Sequence, residues 1–485
     1  MTADYVAHHA QQRPDAPALI DNGRTITYGE FARDLPKFMR AVRELGVPAA
    51  GTIAVGCDDL YVQWLILLAC EELGIATASL IQREEASVLP LVAGIDLLLS
   101  EFPLPEGRPR HRHDLTPAWV ESVLRLPAVE PPAPSRPPQE AVLRILRTSG
   151  TTGRFMRLAL TRDMHERRIE HWLWRYGFSV RSRVMLAMPF VIGGVYSQAC
   201  ACLRAGGALV RESRVEVPVA LMRHAVTHVT LMPIYLRNVL DQVGSGFARL
   251  SELVVSTFGG AIAPSLRAEA VARLCVAVCD MYGCNEVGFI ASNGLYRTGS
   301  YLDLWPGIAL EAVDEEGRTL PAGEPGLLRV RTPSMFAGYI DDPEATGRML
   351  REGWFYPGDL GVLRGSRELE LLGRADAVLN IGGAKFLPER LERILRAGIG
   401  VEEVAVGSIV SPQSASELCI AIGETGSADA EIGPKIDALL SGVGFRKSIL
   451  IRLARLPRDP AGRIDRAALA RAIAAAVSGA ERPDT

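Results

Sequence analysis

Apolar and polar positions along the chain alternate between two periods. Short apolar runs rich in β-branched residues, Thr52–Cys57, Val184–Pro189, His228–Pro233, Leu253–Phe258 and Cys275–Tyr282, have the length and composition of buried strands. Between them, Tyr28–Leu45, Met164–Tyr176, Tyr196–Ala205 and Ser265–Leu274 carry apolar residues at helical spacing and predict amphipathic helices. Strands alternating with helices read as βαβ units around a mostly parallel sheet. From Gly307 to Arg331 the pattern shifts to short alternating runs broken by the turn Asp314-Glu315-Glu316-Gly317, which predicts a small antiparallel subdomain. Residues Pro103–Pro138, Pro- and Arg-rich with Pro131-Pro132-Ala133-Pro134 inside, read as a surface excursion around one short helix. After Gly373-Arg374 the chain reads as a separate α+β unit, and no internal repeat is visible.

The longest apolar stretch, Trp64–Leu80, is interrupted by Glu71 and Glu72 and is too short and too charged to span a bilayer. The start, Met1-Thr2-Ala3-Asp4-Tyr5, carries an acid and no basic lead into an apolar run, so no secretory signal is expected. Composition adds little at first: 485 residues, 48% hydrophobic and 22% charged, fit two or three ordinary globular domains. The 53 basic and 56 acidic residues sum to −3, with no basic stripe for nucleic acid. The eight cysteines are scattered through apolar segments without a CxxC pair and read as small buried hydrophobes of a reduced, cytoplasmic protein. Cys200-x-Cys202 lacks a second pair of metal ligands. One imbalance does change the picture. Only Lys37, Lys385, Lys435 and Lys447 are lysine, against 49 arginines (53 − 4), so chemistry that needs an amine has four candidates.

After the apolar run Ala141–Leu146 comes Arg147-Thr148-Ser149-Gly150-Thr151-Thr152-Gly153-Arg154. A loop of small, hydroxylated and glycine residues lets backbone N–H groups and hydroxyls converge on an anion, although such a run alone is also a plain flexible turn. Four further segments follow in order. They are Asp280-Met281-Tyr282-Gly283-Cys284-Asn285-Glu286, then Gly353-Trp354-Phe355-Tyr356-Pro357-Gly358-Asp359-Leu360-Gly361, then Leu372-Gly373-Arg374-Ala375-Asp376 before Gly382-Gly383-Ala384-Lys385-Phe386, and last Leu456-Pro457-Arg458-Asp459-Pro460-Ala461-Gly462-Arg463. Together they resemble the motif series of the acyl-adenylate-forming superfamily, which contains acyl- and aryl-CoA synthetases, peptide-synthetase adenylation domains and luciferases. The resemblance covers nearly the whole chain, including Arg13-Pro14-Asp15-Ala16-Pro17-Ala18 near the start.

The resemblance implies an α/β fold: a large N-terminal domain, residues 1–375, with two doubly wound sheets and a small β subdomain, then a mobile α+β C-terminal domain, residues 376–485. It implies ATP and Mg2+ as cofactors and a small-molecule acid as substrate. The acceptor would be CoA or the phosphopantetheine of a carrier protein, and monomer and homodimer both stay open. Thr148, Ser149, Gly150, Thr151, Thr152 and Gly153 would hold the ATP phosphates, and Glu286 would hold Mg2+ with hard carboxylate oxygens. Tyr282 would stack on adenine, with Gly259, Gly260 and Ala261 opposite and Gly283 and Asn285 beside it. Asp359 would accept from both ribose hydroxyls, and Arg374 would lie near the ribose and phosphate. Asp376 would be the hinge, while Gly382, Gly383 and Lys385 would face the thiol channel, with Asn380 just before them. Thr152, Glu286 and Arg463 would act at the reacting phosphate. Phe190, Val191, Gly194, Met232, Tyr235, Phe258, Gly259 and Cys284 would line an apolar, partly aromatic acid pocket, unless they are simply core.

Three departures matter. The phosphate loop of the family continues Gly-x-Pro-Lys-Gly, whereas here Phe155 and Met156 stand at the proline and lysine positions. The C-terminal Gly-Lys reads Gly462-Arg463, which keeps the charge but replaces a compact ammonium by a broad planar fork. Met188–Gly194 carries neither the histidine nor the aspartate often found there, so an α-amino acid would lack a partner for its ammonium. General Lys-to-Arg drift accounts for Arg463 but not for Met156. The leading expectation is an ATP-dependent ligase that adenylates a small aromatic acid and passes it to a thiol. Two alternatives are a member activating nitrite or another unusual acid for joining to an amine, and a nucleotide-binding pseudoenzyme.

Overall fold

The computed structural model describes residues 1–80, 94–101, 110–127, 137–149, 155–260, 262–294, 301–377, 379–381, 384–410, 416–423, 432–442, 448–459 and 462–480. Two large sheets dominate. In a seven-stranded sheet, Thr52–Gly56 lies between Ala76–Ser79 and Leu97–Ser100, all parallel, and Val142–Ser149 follows on the far side of Ala76–Ser79. Val142–Ser149 then turns back antiparallel into Phe155–Thr161, which pairs with Tyr339–Ile340 at the edge. In the second sheet the parallel strands Pro17–Asp21, Ala208–Arg211, Arg183–Met185, His228–Leu231, Val254–Thr257 and Ala277–Cys284 lie side by side.

The expected small antiparallel subdomain is continuous with this second sheet. Ala277–Cys284 runs parallel to Val254–Thr257 over Ala277–Asp280 and antiparallel to Gly288–Ser292 over Met281–Cys284. The antiparallel part continues through Leu302–Leu304, Glu368–Arg374, Asp359–Arg364 and Pro325–Arg331, with Ala309–Val313 paired on the last as the alternating pattern predicted.

Helices fill the space between and outside the sheets. Tyr28–Glu44 starts at a capping box in which Thr27 accepts from the Glu30 N–H at 3.1 Å and Glu30 accepts from the Thr27 N–H at 2.8 Å. Leu60–Leu73, the helical part of the long apolar stretch, is buried on nearly every face. Trp64, Leu65, Leu68 and Cys70 join Phe31, Phe38, Trp172, Tyr196 and Leu203 in the largest core. Among the described residues no helix is long and apolar enough to cross a membrane. Among its described residues the excursion 103–138 holds one short helix, Pro117–Leu124, capped by Thr116, and also an edge strand, His111–Asp114, that its polar sequence concealed.

Beyond residue 376 the strands Leu379–Ile381 and Ala384–Phe386 pair, and Val404–Val410, Ser416–Gly423 and Ile449–Leu453 form a three-stranded sheet. Two cores there, one around Leu395, Val406 and Ile420 and the other around Cys419, Leu469 and Ile473, draw only on this part of the chain.

Candidate active site

Segments of four of the motifs meet where the strand Ala277–Cys284 ends. Its alternation buries Met281 and leaves Tyr282 half-buried, with the hydroxyl donating to Asp359 Oδ2 at 2.7 Å. Asp359 opens its strand directly opposite Arg374. That guanidinium reaches Asp359 Oδ1 at 3.4 Å, the Pro357 carbonyl at 2.5 Å and both oxygens of Asp376 at 3.2 Å. Gly358, at φ +79°, makes the crossing possible, because a Cβ there would stand 2.8 Å from the guanidinium. Burial raises the Asp359 carboxyl pKa, while the Arg374 charge opposes the rise. Burial first and then Asp359 push the Tyr282 phenol well up, so it stays a donor. The result is a fixed carboxylate whose acceptors are oriented from two sides.

One turn further, Glu286 is 6% exposed. It accepts from the Tyr339 hydroxyl at 2.9 Å, and its own carbonyl accepts from the Phe336 N–H at 2.8 Å. Burial, then Glu286, raises the Tyr339 and Cys284 pKa values, which keeps both groups protonated beside the carboxylate. A buried, hydrogen-bonded carboxylate at such a turn is a hard oxygen ligand suited to a divalent cation. Asn285 ties this turn to the glycine-threonine segment by donating to the Arg147 carbonyl at 3.0 Å. Beneath it, the buried Arg168 donates to the Asn285 carbonyl at 2.6 Å, and burial lowers the Arg168 pKa to about 10.

Thr148 closes the strand Val142–Ser149; its Oγ1 is buried and finds no hydrogen-bond partner among the described residues. An orphaned hydroxyl at the mouth of a small-residue loop fits donation to an anion. Ser149 ends the described strand, and Gly150, Thr151, Thr152, Gly153 and Arg154 lie outside the described residues. Met156 pairs across from Thr148 and packs against the cluster of Leu146, Val287 and Tyr339. Arg157, across from Arg147, is paired with Asp341 at 2.5 Å.

The remaining expectations fall in three places. Gly259, at φ +83°, and Gly260 form the turn after Val254–Thr257, with open space where a Gly260 side chain would stand; Ala261 is outside the described residues. Phe258, Met232 and Phe190 all pack on the largest core. Phe190 is 4% exposed and edge-on to Trp64, and its carbonyl accepts from the buried Arg144 at 3.1 Å. Val191 and Gly194 are half-buried, Cys284 packs on the cluster below Tyr282, and Tyr235 is 42% exposed on the helix Pro233–Gln242. Asp376 lies in a single 3-10 turn, Ala375–Ala377. Lys385 pairs with Asn380 across a two-stranded ribbon, and Gly382 and Gly383 are outside the described residues. Arg463 is half-exposed and bound to Asp459. Tyr339 and Arg168 escaped the sequence reading; neither belongs to a quoted motif, and each meets the site from more than 50 residues away.

Cys200 also has neighbours that sequence spacing did not reveal. Glu71, His165 and Cys200 place their ligand atoms within 4.8 Å of one another in the core. Burial and the charges of Arg204, Arg144 and Arg168 keep His165 neutral, and the Tyr196 hydroxyl donates to Glu71. A polar cavity of about 380 Å³ is lined by Arg204, Glu166 and Arg162, and neither Tyr282 nor Asp359 lines it.

Residues 6–340 match the family described as AMP-binding enzyme. A fatty acid–[acyl-carrier-protein] ligase of Streptomyces coeruleorubidus is 26% identical over 430 residues, covering 82% of each chain. An indoleacetate–CoA ligase of Aromatoleum aromaticum is 25% identical over 437 residues, covering 83% of this chain and 84% of its own. ATP-bound MatB of Rhodopseudomonas palustris superposes with a TM-score of 0.83 at 20% identity, covering 97% of this chain and 99% of that one, which shows a shared fold.

Proposed function

The chain belongs to the AMP-binding enzyme family, and on that premise we propose that it is an AMP-forming ligase that adenylates a small aromatic carboxylic acid and transfers it to a thiol. The observation that carries this reading is the Tyr282–Asp359–Arg374 constellation, a carboxylate held from two sides as an acceptor for a vicinal diol. Thr148 and the residues after it would donate to the phosphates, with Tyr282, Gly259 and Gly260 against the base. Glu286 would hold Mg2+, which would neutralise charge on the phosphate oxygens. The substrate carboxylate oxygen attacks the α-phosphorus, the bond to the β-phosphate bridging oxygen breaks, and pyrophosphate leaves. The thiol sulfur then attacks the acyl carbonyl, AMP departs and the thiol proton passes to solvent.

The two steps need charge at different centres. We read residues 376–485 as a unit that turns about Asp376 between them, bringing Arg463 in first and the Gly382–Lys385 segment second. The half-buried Phe258 and the Met232 and Cys284 side chains support an apolar pocket for a planar acid, and indoleacetate, in the name of one relative, is an acid of that kind. CoA and a carrier-protein thiol are both acceptors in our reading, matching the names of two relatives. All eight cysteines are free thiols, which supports a reducing, cytoplasmic setting.

A second reading rests on Met156 and Arg463. Met156 is packed into apolar core rather than charged, and Arg463 is bonded within its own loop. An enzyme that activates nitrite or another unusual acid for an amine would tolerate both changes. Screening aryl acids, alkyl acids and nitrite for ATP-dependent pyrophosphate release separates the readings. One aryl acid eliciting release, followed by thiol-dependent product, supports the first. Release only with nitrite or in the presence of an amine supports the second. Absence of ATP turnover with every acid tested would sink both and favour a nucleotide-binding pseudoenzyme.

A further inference from the structure

Arg463 and Asp459 are bonded to each other three times over. The Asp459 N–H donates to the Arg463 carbonyl at 2.8 Å, the Arg463 N–H donates to Asp459 Oδ1 at 3.0 Å, and Arg463 Nε donates to Asp459 Oδ2 at 2.8 Å. A second guanidinium nitrogen lies 2.7 Å from the same oxygen. Arg458 fastens the loop to its own unit through Glu403 at 2.6 Å and to the Gly462 carbonyl at 2.8 Å. Yet the tip rests on the N-terminal domain. At Gly462, φ +74°, a Cβ would stand 2.5 Å from Ile234 Cγ2, and Met232 Sδ would be 3.8 Å away. Arg463 follows directly on this contact with Ile234 and Met232, two residues proposed at or beside the acid pocket, and its charge is bound to Asp459. The pair is reachable by solvent, with 46% of the Arg463 and 25% of the Asp459 side chain exposed.

We propose that Asp459 is a positioning residue for Arg463, holding the guanidinium in the loop and yielding it to the polyphosphate of a bound nucleoside triphosphate. The inference rests on the adenylation reading above. Carboxylate and phosphate oxygens compete for the same forked N–H donors, so one guanidinium can pass between them with little change of backbone. It also accounts for an arginine at this position: its planar fork bonds Asp459 through Nε and a terminal nitrogen together, and lysine has only one ammonium nitrogen to offer. Because the pair is solvent-exposed, releasing it is worth at most about a fivefold change in an equilibrium constant.

The test is a double-mutant cycle on the full-length chain, reading equilibrium binding of ATP with Mg2+ and, separately, of adenosine. Asp459→Asn should bind ATP about two- to fivefold more tightly and adenosine unchanged, because only the phosphates gain the freed charge. Arg463→Gln should weaken ATP binding, and in that background Asp459→Asn should have no effect. Asp459→Ala should repeat the sign of Asp459→Asn. An equal Asp459→Asn shift with and without Arg463, a matching shift for adenosine, or no shift at all would overturn the proposal. A wild-type chain that binds neither ATP nor adenosine would instead remove the adenylation reading itself, and the proposal with it.

Discussion

Tyr339 donates to Glu286 from 53 residues away along the chain, and that bond helps orient the carboxylate proposed to hold Mg2+. Outer-shell partners of this kind commonly change metal affinity by about 10–100-fold when removed. Tyr339→Phe should therefore raise the Mg2+ concentration for half-maximal pyrophosphate release by about tenfold, with the melting temperature little changed. Glu286 stands out in the sequence as a candidate, because it closes a motif with an aromatic and a glycine at fixed offsets. Tyr339 was not, because an isolated tyrosine after a glycine looks the same whether it faces core or site. Asp280 gives a pH signature. Burial raises its carboxyl pKa from the usual 3.8 to about 6, against the Thr257 hydroxyl bond at 2.9 Å and the nearby Arg267. A raised folded-state pKa means stability that is full below the unfolded value and lost as pH rises through about 6. Asp280→Asn removes that loss. The melting temperature of the variant relative to wild type should climb by about 2–4 °C between roughly pH 5 and pH 8, whereas a flat difference would show that the carboxyl is not buried as described.

At the scale of elements, the hydrophobic pattern located the parallel strands and helices but not their ends. Val184–Pro189 was expected as a strand; the strand that forms is Arg183–Met185, paired with Ala208–Arg211 and His228–Leu231, and the Leu186 N–H adds a bond to the Val210 carbonyl at 2.8 Å. Met188 and Phe190 are buried without pairing, and a periodicity argument reports burial, not hydrogen bonding. The helix expected from Tyr196 starts three residues earlier, at Gly193, because two glycines carry no hydrophobic signal. The polar strand His111–Asp114 was hidden for the opposite reason, since an edge strand needs no apolar face. Glycines around the site separate into two kinds that sequence alone does not distinguish. A Cβ at Gly283 would stand 2.3 Å from the Gly288 carbonyl oxygen, across the bulge that aims Tyr282, whereas a Cβ at Gly260 meets open space. Gly283→Ala should cost about 1–3 kcal/mol, the range for overpacking, and Gly260→Ala should cost less than about 0.5 kcal/mol. Chemical denaturation of the two variants checks the contrast.

For the whole molecule, one strand joins the parallel and antiparallel halves of the second sheet, so the Tyr282 end of it is braced by both. Among the described residues, several contacts join the C-terminal part to this frame, including one from an Arg393 guanidinium nitrogen to Glu370 at 3.7 Å. Gly462 rests on Ile234, Ser265 bonds Glu402, and Arg393 donates to the Leu371 carbonyl at 3.1 Å. The arginine excess, visible in composition, acquires a local meaning only here, because Arg463 is built into its loop by Asp459 while Met156 is absorbed into core. The most direct test of the central claim follows oxygen. With the acid found by the screen, labelled with 18O in its carboxyl group, adenylation predicts AMP carrying one 18O after thiol transfer, together with one pyrophosphate per AMP. Unlabelled AMP, or ADP and phosphate as products, would contradict it.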